Sequence, residues 1–201
     1  MLTKLLRSRL ALSTVVSTLI ILVVSVLLAT VVVYYATNVV STRVQEESLH
    51  LTRQHVWHNA TASAGSSAYS LAALMVINTG GRDVVIDKLT VRGQECDWNS
   101  TVAPQNKFVL YCTTDNPISN DMTYTANLTS ASPNTVTIGS TPYTFNAASG
   151  DLILKSGYTL LIYIVNPDSI AVNDVGLTVS IALYSAQAVY YREVNVEAVV
   201  M

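Results

Sequence analysis

Hydrophobic positions along the chain follow two regimes. Between Arg9 and Arg43 lie 33 residues without a single charge, dominated by Val, Leu and Ile. From about residue 70 onward, apolar residues instead alternate with polar ones in short runs bounded by Gly, Pro, Asn, Asp and Ser. The first regime predicts a long helix. Leu10 to Ala36, as a helix, rises about 40 Å and exceeds a hydrocarbon core of about 30 Å. A secretory apolar core is shorter, about 7–15 residues, and ends at a small-residue cleavage site. Here the run closes on "ATVVVYYATNVV", whose Tyr34 and Tyr35 suit a membrane–water boundary. The apolar segment is therefore expected to stay in the mature protein.

Small side chains interrupt this run at helical spacing. Thr14, Thr18, Ser25 and Ala29 fall on one face, with Ser13 and Ser17 beside them. Such a stripe lets helices approach closely; the same hydroxyls can equally bond back to carbonyls one turn earlier in a solitary anchor. The following "STRVQEESLHLTRQHVWHNA" lacks Gly and Pro. Arg43, Glu47, His50 and Gln54 line one face at helical spacing, and Val44, Leu51 and His58 another. This spacing predicts a continuous helix from 10 to 58, about 73 Å long. His50, His55 and His58, five and three apart, do not give the HxxxH face that two metal ligands need.

The second regime predicts strands. "NATASAGSSAYS" reads as a hinge over 59–70, leading to a head over 71–201. Two apolar runs flank "NTGGRD", where Gly80 and Gly81 are expected to supply the positive φ of a hairpin turn. Further strands are expected at Phe108–Thr113, Thr135–Ile138, Asp151–Leu154, Thr159–Val165, Leu177–Tyr184 and Tyr190–Val200. In "GLTVSIALY", Leu177, Val179, Ile181 and Leu183 form the inward set. The fold class expected is α+β: a long N-terminal hydrophobic helix followed by an immunoglobulin-like antiparallel β-sandwich. "TGGRD" is a turn rather than a recognition motif, and the eleven tyrosines suit half-buried sheet faces.

Charge adds an orientation. Lys4, Arg7 and Arg9 precede the apolar run with no acid among them, so residues 10–201 carry 8 basic and 13 acidic side chains. The asymmetry reads as positive-inside, with the bulk of the chain outside. An acidic body without a basic cluster argues against nucleic acid. In an oxidising exterior Cys96 and Cys112 are expected to pair, a bridge contributing about 3 kcal/mol. The alternative is two buried free thiols. Three sequons, at Asn59, Asn99 and Asn127, would all face outside as N-glycosylation candidates. No GxGxxG, GKS/T, HExxH or GxSxG motif occurs, and no nucleophile–base pair announces itself. No enzyme activity and no cofactor are expected.

"RSRLALSTVVSTLIILVVSVLLATVVVYYATNV" resembles the N-terminus of archaeal type IV pilins and archaellins. The resemblance covers residues 1 to about 57. It implies a basic leader, residues 1–9, removed by a prepilin peptidase near Ser8, Arg9 and Leu10, with the apolar helix retained. It further implies a membrane-inserted precursor handled by a pilus assembly machinery, and an extracellular helical homopolymer for adhesion or motility. Two features depart from the common pattern: "LRSR" offers Ser8 where many leaders have Gly or Ala, and Thr14 occupies the position where bacterial pilins carry Glu. "NTGGRDVVIDKLTVRG" and "YYREVNVEAVV" resemble segments of archaeal pilin-like heads and support the sandwich. The alternative function is a monomeric membrane-anchored surface protein whose sandwich binds a ligand or S-layer partner.

Overall fold

A computed structural model describes residues 2–61, 69–100, 106–131 and 133–199. The chain divides into two units, residues 1–45 and 46–201. The first is one helix, α1 (Leu2–Val44), about 65 Å long at 1.5 Å per residue. From residue 13 to 42 every side chain lies exposed.

The helix ends earlier than its polar continuation suggested. A continuous helix to His58 is not formed: residues Leu49–Asn59 are instead β1, the first strand of the second unit. Absence of Gly and Pro permits a helix but does not select one, and tertiary pairing overrides weak propensity. Leu49 and Leu51 are buried while His50 between them is exposed, a period of two. A bulge between Thr52 and His55, with Arg53 at φ 51°, then shifts the parity, so Val56 takes up the face that Leu51 left.

The second unit continues with β2 (Ser70–Asn78), β3 (Val84–Val91), β4 (Gln94–Glu95), β5 (Asn99–Ser100) and β6 (Lys107–Thr114). It closes with β7 (Asn134–Ile138), β8 (Thr141–Ala147), β9 (Leu152–Leu154), β10 (Thr159–Val165), β11 (Thr178–Ser185) and β12 (Val189–Val199). These strands form one sheet in the order β4-β3-β11-β12-β1-β2-β10-β6-β8-β7, with β5 on β6 and β9 on β3. Pairing is antiparallel except between β1 and β12. Fold class is thus α+β, an apolar helix followed by a large, mostly antiparallel sheet.

Two buried clusters sit on opposite faces of β1, β2, β10 and β6. Leu160, Ile162 and Ile164 of β10 face one, with Ile86, Leu89, Leu154, Ile181 and Leu183 across it. Leu161, Tyr163 and Val165 face the other, with Met122, Leu128, Val136, Ile138 and Phe145 across it. Every residue of β10 is buried, which is why "TLLIYIV" reads as an unbroken apolar run. Tyr163 is tolerated there because its hydroxyl donates to the Thr123 carbonyl at 2.8 Å, while its ring meets Phe145 edge-on at 5.1 Å. In β11, Val179, Ile181 and Leu183 point inward as alternation requires; Leu177 precedes the strand and is exposed.

Two connections differ from expectation. The interval 59–70 joins the adjacent antiparallel strands β1 and β2, so it is a within-sheet connection rather than a hinge below a head; its residues 62–68 lie outside the described ones. "NTGGRD" is not a hairpin turn either, because β2 and β3 pair with other strands. Among the described residues the left-handed glycines are Gly93, Gly139, Gly157 and Gly176, and Gly80 is not one of them. Gly80 is needed for space instead. Its N–H and that of Thr79 both donate to the Ser48 carbonyl, at 3.1 and 2.9 Å. An added Cβ would stand 2.6 Å from the Glu46 carbonyl oxygen and 2.8 Å from the Ser48 nitrogen. Both are backbone atoms and cannot swing aside. Gly80→Ala is accordingly expected to lower stability by about 1–3 kcal/mol, read as a reduced urea midpoint of the full chain in detergent with an unchanged denaturant slope.

Candidate functional site

The feature of α1 that bears on function is its surface. Ser13–Thr42 is long and apolar enough to cross a membrane, and none of it is buried within the chain. Val, Leu and Ile occupy all sides, with Leu19, Leu22, Leu28, Val32 and Val33 each more than half exposed. A helix apolar all round needs a membrane or other protein around it. By length and composition an anchor and a signal sequence fit equally well.

The small polar residues inside this run are satisfied locally. Ser17 donates to the Ser13 carbonyl at 2.9 Å, Thr18 to Val15 at 2.9 Å, Ser25 to Ile21 at 2.7 Å and Thr30 to Val26 at 2.8 Å. These back-bonds remove free hydroxyl donors from the helix surface, as hydrocarbon demands. The stripe of Thr14, Thr18, Ser25 and Ala29 therefore differs from its surroundings in size more than in polarity. Ser8, Arg9 and Leu10, the residues assigned to leader processing, lie on helical backbone.

On the β unit, the sequon asparagines occupy different settings. Asn99, in β5, and Asn127, in the loop before β7, are exposed. Asn59 is only 6% exposed. Its amide donates to the Tyr124 hydroxyl at 3.2 Å, and its carbonyl accepts from the Thr61 amide and hydroxyl at 3.1 and 2.8 Å. In the folded chain that side chain is committed to closing the end of β1.

Cys96 and Cys112 are not joined; both are free thiols. The register explains the correction. Cys96 packs in the cluster on one face of the β1-β2-β10-β6 layer, and Cys112 packs against the cluster on the other. Along β6, Phe108 and Leu110 share the Cys112 side while Val109 and Tyr111 take the opposite one. The sheet itself stands between the sulfurs. Burial pushes the Cys96 thiol up to about 12, and burial raises Cys112 as well.

The histidines separate by environment. His50 is exposed and His55 partly so. His55 stacks on Trp57 with ring centroids 4.9 Å apart, its Nε2 lies 3.0 Å from Asp121 Oδ1, and its Nδ1 lies 3.5 Å from Glu197 Oε1. Trp57 Nε1 donates to the other Glu197 oxygen at 3.0 Å. Burial works to raise the Asp121 carboxyl, yet the hydrogen bond and charge of His55 outweigh it, helped by the Met122 amide and Arg53, and hold it below the ordinary value. The cluster fastens the 115–131 segment to β1 and β12. Sequence reasoning missed Asp121, Trp57 and Glu197, and no local signal marks them: partners stand 66 and 140 positions apart. Among the described residues no three His, Cys, Asp or Glu side chains converge as metal ligands.

The chain matches no known protein-family model and no curated protein, so neither comparison identifies a pilin or archaellin. The thiol geometry yields a direct expectation. Brief alkylation of the folded, detergent-held chain should label Cys112 ahead of Cys96, with Cys96 reacting only after unfolding, because thiolate fraction and access both control the rate. Peptide mass analysis of the two sites checks this, and equal labelling would contradict the burial assigned to Cys96.

Proposed function

We propose that the protein is a structural subunit, pilin- or archaellin-like, of an archaeal cell-surface filament that polymerises through its N-terminal helix. The observation that carries this reading is the all-round apolar, exposed surface of α1 over Ser13–Thr42, on a helix of 43 residues. Its apolar run, Ser13–Thr42, is about 45 Å long at 1.5 Å per residue, about half again the thickness of a hydrocarbon core. A simple anchor has no use for the excess, whereas a helix packed among copies of itself buries all of it. Removing apolar area contributes about 25 cal/mol per Å², and over such a helix this exceeds what ordinary soluble interfaces supply. Head-to-tail contacts that do not close propagate as a filament.

On this reading the membrane holds the helix before assembly, with the N-terminus cytoplasmic. A prepilin peptidase cuts near Ser8, Arg9 and Leu10, and the assembly machinery delivers the subunit outside. The β unit is then the displayed head. An immunoglobulin-like sandwich is the finer description we favour for it, supported by the way β3, β9 and β11 oppose β2 and β10 across one shared core. Exposed Asn99 and Asn127 suit glycan attachment better than Asn59 does. The role is structural, with no catalytic step, cofactor or nucleic acid.

A second reading, a monomeric membrane-anchored surface protein whose β unit binds a ligand or S-layer partner, is favoured by two observations. The helix stops at Val44 rather than continuing as a stalk, and its hydroxyls are already satisfied within their own helix. Mass analysis of material sheared from cells distinguishes the two. The filament reading expects a chain starting near Arg9 or Leu10 in a filamentous fraction; an intact Met1 confined to membranes would leave the anchor. Enlarging the small-residue stripe gives an independent check. Ala29→Phe should abolish sheared filaments while leaving membrane insertion intact, because added bulk blocks close helix approach and costs nothing in lipid. Undiminished filaments from this variant would remove the stripe from the interface.

A further inference from the structure

The β1–β12 ladder holds a buried group that no role above has used. Among the described residues this ladder is the strand pairing that joins the β4-β3-β11-β12 half of the sheet to the rest. It is parallel and short, running Val56↔Val196, Trp57↔Glu197, His58↔Ala198 and Asn59↔Val199. His58 sits within it, flanked by Ala198 on one side and by Ser70 of β2 on the other.

His58 is 1% exposed, and both its ring nitrogens are buried with no hydrogen-bond partner. Buried polar groups are ordinarily paired, so a doubly unmet imidazole calls for an explanation. What faces it is largely apolar or already engaged. The Tyr69 ring meets it edge-on at 4.6 Å. Asp174, in the short 3-10 turn between β10 and β11, attracts a proton towards it through charge alone. That carboxylate is itself held by Arg92 at 2.6 Å and by the Ala171 amide at 2.8 Å. His55 and Glu197 belong to the opposite face with Trp57, which donates to Glu197, while His55 Nδ1 lies 3.5 Å from that carboxylate. No carboxylate is therefore hydrogen-bonded to His58.

We propose that His58 makes the β1–β12 junction acid-labile: protonation of the buried imidazole opens the ladder and loosens one half of the sheet from the other. The sign follows from the surroundings. Loss of solvation disfavours the charged ring more than Asp174 favours it, so the folded chain holds His58 below its ordinary value. The unfolded chain then binds more protons around and below about pH 6.5. Stability at the junction is complete above that pH and falls as the pH drops through it. The device lies in the β unit and does not depend on how the helix is used.

Amide hydrogen exchange on the full chain in detergent micelles, at about pH 7.5 and about pH 5, tests this. After correction for the intrinsic rate, protection at 56–59 and 196–199 should be lower at the lower pH. The β10–β6 rungs should hold theirs. His58→Gln, or His58→Phe where the glutamine variant is poorly folded, should erase that difference. Equal junction protection at both pH values in the unaltered chain would overturn the proposal without any variant. So would a loss spread evenly over all strands, or a pH response that survives in a folded His58 variant.

Discussion

The layer built from β1, β2, β10 and β6 is buried on both faces, and this constraint organises the β unit. A strand in that position cannot alternate apolar with polar residues; it must present something apolar, or something satisfied, on each side. β10 meets the demand with seven buried residues, and β2 with an almost equally apolar run. Two separate coverings are then required. Strands β3, β9 and β11 supply one, while the β7–β8 hairpin and the 115–131 segment supply the other. The polar contacts that matter, Tyr163 to Thr123 and the His55–Asp121–Glu197 cluster, are where the second covering is fastened down.

The helix poses the opposite problem. Over Ser13–Thr42 none of its apolar surface is buried, so it calls for lipid or other protein around it. Lipid and neighbouring helices both meet that need, and the back-bonded hydroxyls are compatible with each. What distinguishes them is length and shape. A membrane rewards apolar area up to its thickness, whereas helix–helix packing continues to gain from every turn and is sensitive to small residues in a stripe.

Sequence legibility follows from how local each determinant is. The apolar helix and β10 were readable because their environments are uniform along the segment, and β11 because its alternation is clean. β1 was not. Its "LHLTRQHVWHN" fits helical spacing nearly as well as strand spacing, and a bulge at Arg53 breaks the alternation that would have exposed it. The strand exists because β2 and β12 flank it, a fact carried by residues far along the chain. The cysteines failed for a related reason. Sixteen positions apart, they looked bridgeable, but which face each one occupies depends on β6 register and on the turn through β4 and β5. Gly80 was legible as an important glycine but not for the right reason, since a close backbone approach leaves no mark on the local sequence.

The demands on the central layer converge at β1. It begins five residues after the helix ends and lies between β2 and β12, so both coverings of the central layer depend on its position. Its first half is fixed by antiparallel pairing to β2 and by the Ser48 carbonyl gripping Thr79 and Gly80. Its second half adds the parallel ladder to β12, and there the chain has placed a large aromatic, a buried histidine and a committed asparagine in succession: Trp57, His58 and Asn59. Each is polar at its tip and buried in its body, so each requires a specific partner to hold its place. Trp57 and Asn59 have theirs in Glu197 and Tyr124. The imbalance at His58 is thus local, set between two satisfied neighbours, and any loosening it causes is directed at the four-residue ladder rather than dispersed through the cores.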